Sequence, residues 1–129
     1  MFRPRIIPTL LLRNNGLVKT VNFQNSKYIG DPINAVKLFN DMNADELIFL
    51  DIDATRDNRS IDFNLIKKIS NEAFMPFSIG GGISTIEHAQ KCFENGADKV
   101  IVKVNTDNIK NDTWDILSDE DKEKFEKLK

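Results

Sequence analysis

The chain has 129 residues, 40% hydrophobic and 29% charged, which suits one domain with a buried core and excludes disorder as the default. A net charge of -2 and a pI near 5.4 supply no basic field, which argues against a nucleic-acid partner held by bulk electrostatics. The single cysteine, Cys92, excludes an internal disulfide and reads as a small buried residue of a protein in a reducing cytoplasm.

The apolar run at residues 6–12 is too short for a membrane span and lacks a small-residue cleavage site, so no targeting signal and no membrane partner are expected. Residues 5–12 read instead as a buried strand rich in Ile and Leu. Residues 13–30 follow as a long polar loop, of the kind that is functional or mobile. Within it Lys19 is placed to meet an anionic substrate, the plainer alternative being a solvated surface lysine.

A helix is predicted over residues 32–42, with Asp31 as its cap and Pro32 at its first position. Residues 46–52 form the second strand, residues 63–73 a helix with Phe63, Ile66 and Ile69 on one face, and residues 75–79 the third strand. That strand runs into Gly80, Gly81 and Gly82 and then into a capping box, Ser84-Thr85-Ile86-Glu87. A glycine loop before a helix N-terminus can bring backbone N–H groups close to an anion, so a phosphorylated ligand is expected there, against the alternative of a tight turn with no ligand. Ile86, Ala89 and Phe93 line the third helix, Asn95-Gly96 stops it, and residues 99–104 form the fourth strand. Strand-helix alternation of this kind gives a parallel sheet with right-handed crossovers. No pattern for a cofactor or a metal is expected in it.

Eight short motifs occur together and in order: Arg5-Ile6-Ile7-Pro8, Gly16-Leu17-Val18-Lys19, Val21-Asn22-Phe23, Gly30-Asp31-Pro32, Ala44-Asp45-Glu46-Leu47, Leu50-Asp51-Ile52, Gly80-Gly81-Gly82-Ile83 and Gly96-Ala97-Asp98-Lys99-Val100. In these the chain resembles the cyclase subunit of imidazole glycerol phosphate synthase, from about Arg3 to Val102. Arg3-Pro4-Arg5-Ile6-Ile7-Pro8, Lys19-Thr20-Val21 and Asp51-Ile52-Asp53-Ala54-Thr55 look more like the branch associated with surface-polysaccharide sugar amidination than the histidine-biosynthesis branch.

The resemblance implies a (β/α)8 barrel that takes ammonia from a glutaminase partner and closes an imidazole ring on a bis-phosphorylated ribonucleotide. A whole barrel needs roughly 250 residues, so the four parallel βα units here correspond to its N-terminal half, an α/β half-barrel. It further implies that Gly80, Gly81 and Gly82 hold a substrate phosphate, that Lys19 belongs to the loop covering the ligand, and that Asp51 ends a strand in the substrate cavity, making Asp51 and Lys19 the catalytic candidates. Arg5, Glu46 and Lys99 match three of the four charges around the family's ammonia entrance, with a structural salt-bridge layer as the alternative role. Asp98 would lie near the glutaminase docking surface or be a solvated aspartate.

Three departures accompany these matches. The family's first-strand acid/base aspartate corresponds to Leu11, which exchanges no proton. Its second catalytic aspartate belongs to a fifth strand, beyond Lys129. Its Asn-Thr phosphate contact corresponds to Asn105 and Thr106, but Lys103-Val104 intervene before them.

Residues 1–104 are thus read as the cyclase-like half-barrel and residues 105–129 as a divergent segment of the same domain. In that segment Trp114, Ile116 and Leu117 form a small apolar group, and Ser118-Asp119-Glu120-Asp121 starts a terminal helix. The change fits a truncated or frame-shifted copy, a natural half-barrel or an engineered chain. Two functions are carried forward: a cyclase of weak or absent activity, and a non-catalytic phosphate-binding or glutaminase-docking module. An open half-barrel also predicts a homodimer, because its first and fourth strands would be free edges and Ile7, Leu10 or Leu11, Leu50, Ile79 and Ile101 would lack an opposite wall.

Overall fold

The computed structural model describes residues 3–21, 24–57, 59–104 and 113–118. In chain order these form β1 (Thr9–Arg13), β2 (Gly16–Val21), β3 (Gln24–Gly30), α1 (Pro32–Asp41), β4 (Leu47–Asp51), α2 (Phe63–Glu72), β5 (Phe77–Gly80), α3 (Ile86–Glu94), β6 (Lys99–Val104) and β7 (Thr113–Ser118). All seven strands belong to one sheet, in the order β3-β2-β1-β4-β5-β6-β7. The four strands β1, β4, β5 and β6 are parallel, and helices α1, α2 and α3 connect them. This is an α/β fold, and its parallel core is an arc of four βα-type strands, as half of a (β/α)8 barrel requires.

Helix starts follow from side-chain caps that satisfy otherwise orphaned N–H groups, each worth about 1 kcal/mol. Asp31 accepts from Asn34 N at 3.1 Å with Pro32 at the first helical position, and Asp62 accepts from Asn64 N at 2.9 Å. Thr85, rather than Ser84, caps α3 by accepting from His88 N at 3.1 Å. At the other end Gly96 has φ +113° and packs against Ser70, so closely that a Cβ would lie 2.0 Å from Ser70 Oγ.

Alternation along the strands separates two faces. Leu12, Leu47, Phe49, Phe77, Ile79, Val100 and Val102 point toward the helices and join Val36, Leu65, Ile66, Ile69, Ala89 and Cys92 in one buried core. On the opposite face, Leu11, Leu50, Gly80 and Ile101 are successive register partners across β1, β4, β5 and β6. Ile79 and Leu10, expected on that inner face, belong to the helix-side core instead.

Other expectations change as well. Residues 13–30 are not an open loop: Asn14 and Asn15, with φ 52° and 60°, make a two-residue turn that folds β2 back on β1, and β3 pairs with β2 in turn. Positive φ at both turn residues is the type I′ geometry that matches strand twist. The first strand begins at Thr9, not Arg5, and Ile7 lies outside it. Trp114, Ile116 and Leu117 fall in β7, antiparallel to β6, not in a coil leading to a helix, and Ser118 ends that strand. The rest of the predicted terminal helix lies outside the described residues. Since β2 pairs with β1 and β7 with β6, the first and fourth parallel strands are not free edges; the sheet ends on β3 and β7.

Candidate functional site

The carboxyl ends of β1, β4 and β5 converge on the segment 51–59, which carries five charged side chains, Asp51, Asp53, Arg56, Asp57 and Arg59. Asp51 accepts four hydrogen bonds: from the N–H groups of Asp53 and Ala54, both at 3.1 Å, and from Arg59 Nη1 and Nη2 at 2.8 and 3.2 Å. Its carboxylate is buried and organises the turn after β4. The same Asp51 bond holds Arg59 further toward its charged form than an ordinary arginine, against a smaller opposing effect of burial.

Asp53 is also buried and is gripped by Arg13, whose Nε and Nη2 reach its two oxygens at 2.7 and 2.9 Å. Arg56 adds a contact of 3.1 Å. The hydrogen bond from Arg13 lowers the pKa of Asp53 below the usual carboxylate value, outweighing desolvation, and the charges of Arg13, Arg56 and Arg59 act in the same direction. Asp53 is therefore held ionised and is unsuited to donate a proton near neutrality. The sequence does not single out Arg13, Arg56, Arg59 or Ser26; the density of Asp and Arg at residues 51–59 is the one available signal.

The glycines lie beside this lattice. A Cβ at Gly80 would meet Leu50 Cδ2 at 2.7 Å and Ile101 Cβ at 3.0 Å; one at Gly81 would meet the Asp51 carbonyl oxygen at 2.5 Å. At Gly82, with φ +68°, the Arg59 carbonyl oxygen would be 2.2 Å away. Packing against residues 51–59 therefore requires glycine at positions 81 and 82, and packing between Leu50 and Ile101 requires it at position 80, whatever else the loop holds. Asn105 and Thr106 lie outside the described residues.

Lys19 is exposed on β2, directly opposite Lys27 of β3. Among the described residues no ion pair or hydrogen bond joins it to Asp51 or to the glycines. Leu11 is half-buried on the inner face, next to Leu50.

At the other end of the sheet, Arg5, Glu46 and Lys99 come together. Arg5 Nη2 lies 2.5 Å from Glu46 Oε1, and Lys99 Nζ lies 3.8 Å from the same oxygen. Glu46 is buried while its two cations are partly exposed, so the carboxylate is the centre of the cluster. Asp98 is not simply solvated: its Oδ2 accepts from Phe77 N at 3.0 Å at the start of β5. Among the described residues no group of three or more His, Cys, Asp or Glu is arranged to hold a metal ion. Among them, too, no helix is long and apolar enough to cross a membrane.

Comparison with known proteins adds the family. A model described as "Histidine biosynthesis protein" matches residues 5–120. A candidate imidazole glycerol phosphate synthase subunit, hisF2, of Pseudomonas aeruginosa is 54% identical over 102 residues, covering 79% of this chain and 41% of the relative. A protein of Leptospira interrogans, named as a candidate HisF subunit of the same synthase, is 52% identical over 102 residues, covering 79% and 40%. The imidazole glycerol phosphate synthase subunit HisF of Alkaliphilus metalliredigens is 43% identical over 111 residues, covering 86% and 43%. The chain spans about two fifths of the length of these relatives.

Proposed function

The chain belongs to the histidine biosynthesis protein family, and on that premise we propose that it is an imidazole glycerol phosphate synthase cyclase-type half-barrel that binds a phosphorylated ribonucleotide. The observation that carries this reading is the meeting of Arg5 and Lys99 on Glu46. Three residues from distant parts of the sequence build one charged layer at the amino end of the parallel strands, where the family's ammonia entrance would lie. A glutaminase partner would dock there. The glycine loop at the opposite end, with positive φ at Gly81 and Gly82, would receive a substrate phosphate.

Within this reading the chain contributes binding more than proton transfer. Leu11 stands where a first-strand acid would act, and Asp51 is engaged by Arg59 and two backbone N–H groups. These two observations favour the second reading, a non-catalytic phosphate-binding or glutaminase-docking module. The motif Asp51-Ile52-Asp53-Ala54-Thr55, with Asp53 paired to Arg13, supports the surface-polysaccharide amidination branch. A cytoplasmic setting accords with the single buried thiol of Cys92. Self-association belongs to the proposal too: a second copy would cover the apolar row Leu11, Leu50 and Ile101, not pair the first strand with the fourth. Calorimetric titration with the bis-phosphorylated ribonucleotide tests the ligand reading. Saturable binding supports it, and an absence of heat at millimolar ligand overturns it.

A further inference from the structure

Arg13 ends β1 and spends its guanidinium on two partners that belong to different parts of the chain. Its Nε and Nη2 clasp both oxygens of Asp53 in the segment after β4, and its Nη1 donates to Ser26 Oγ of β3 at 2.7 Å. A fork of this shape fixes orientation as well as distance, because the planar guanidinium matches the carboxylate edge. Asp53 is itself anchored, since its N–H donates to Asp51, and Asp51 is held by Arg59. A continuous set of bonds thus runs from the β4 end through Asp53 and Arg13 to the outermost strand of the sheet.

Leu17 and Val18 are buried, and Leu17 joins the helix-side core, so the first half of β2 is anchored; the rest of the ribbon has little to hold it. Val21, Tyr28 and Ile29 are exposed, β3 is a sheet edge, and β2 carries Lys19 directly opposite Lys27, a like-charge pair that disfavours the ribbon. Ser26 faces Arg13, so strand alternation puts Lys27, and Lys19 across from it, on the other face of the ribbon.

We propose that Arg13 is a positioning residue: its bonds to Asp53 and Ser26 clip the β2–β3 hairpin to the segment after β4 and thereby fix the face on which Lys19 and Lys27 stand. The consequence for anion binding rests on the function proposed above; the clip itself does not. Hairpin order would rise and fall with the clip, whereas the parallel core, held by its own apolar contacts, would be indifferent to it.

Amide hydrogen exchange by NMR, on the full chain without ligand, tests this. Ser26→Ala removes the hairpin arm alone, Arg13→Gln removes both arms, and Arg13→Lys keeps the charge but loses the fork. Loss of charge-assisted bonds predicts exchange about tenfold faster at hairpin amides in Arg13→Gln, less in Ser26→Ala, with amides of β4–β6 unchanged and poor rescue by lysine. Unchanged hairpin exchange in both Ser26→Ala and Arg13→Gln, or equal acceleration in hairpin and core, overturns the proposal. A second readout uses inorganic phosphate as the probe. Ser26→Ala should weaken phosphate binding when Lys19 is present and have no effect in a Lys19→Ala background; an equal effect in both backgrounds overturns positioning through Lys19. If the unmodified protein binds no phosphate, the ligand reading fails and the exchange data still decide the clip.

Discussion

The α-carbon of Gly82 sits so close to the backbone of Arg59 that a Cβ would be 2.2 Å from its carbonyl oxygen. With φ at +68°, the position also lies in the left-handed region that a side chain disfavours. Gly82→Ala should therefore lower unfolding stability by about 1–3 kcal/mol, by strain and by displacing the segment that carries Arg59. Urea denaturation measures this, and a midpoint equal to that of the unmodified protein contradicts it.

Phe49, in the middle of β4, is the largest fully buried side chain among the described residues and belongs to the helix-side core. Its replacement by alanine removes an aromatic ring from a site that three helices and two neighbouring strands cannot collapse to fill. The expected cost is about 3–5 kcal/mol, most of the stability of an ordinary domain. Circular dichroism during heating should show a much lower midpoint or an unfolded chain; a shift of only a few degrees would contradict the assignment of Phe49 to the core.

The pairing of Asp53 with Arg13 has a pH signature. Because the folded-state value of Asp53 lies below its ordinary value of 3.8, its contribution to stability is fully present above that pH and is lost as the pH falls through the lower, folded value. Asp53→Asn should thus lose stability at neutral pH and show a weaker decline in acid than the unmodified protein. Parallel acid titration curves for the two proteins would contradict this.

Cys92 gives the opposite dependence. Burial alone pushes its thiol from 9.0 up to about 12, so the folded protein keeps it protonated while an unfolded chain ionises it. Its contribution is complete below pH 9.0 and is lost as the pH rises from there toward about 12. Native protein should resist iodoacetamide at neutral pH and react once unfolded in urea; rapid native labelling would contradict the burial of Cys92.

What could be read from sequence was what repeats locally or is capped. The four parallel strands, the three helices and the caps Asp31 and Thr85's neighbourhood follow from apolar runs and polar start signals, and the cluster at Glu46 followed from matched motifs. The strand β3 is hidden in the sequence because it is built from polar residues such as Asn25, Ser26 and Lys27, held by backbone pairing with β2. The Asn14-Asn15 turn that joins β1 to β2 adopts positive φ without the glycine that usually advertises it. The Arg13–Asp53 fork was out of reach for a different reason: it joins residues 40 apart, and no local period records such a contact. The glycines stand out in the sequence, but the close approaches that demand them, of Leu50 and Ile101 at Gly80 and of residues 51–59 at Gly81 and Gly82, are tertiary.

On the proposed reading, the first-strand position of the ligand site is Leu11, a side chain that performs no proton transfer. Positioned acid–base catalysis contributes about a hundred- to ten-thousandfold, so its lack should be plain in a rate. Turnover of the bis-phosphorylated ribonucleotide by the pure protein, with ammonium as nitrogen source, measures it directly. The account predicts saturable binding with turnover close to the uncatalysed background; robust turnover, abolished by Asp51→Asn, would contradict it.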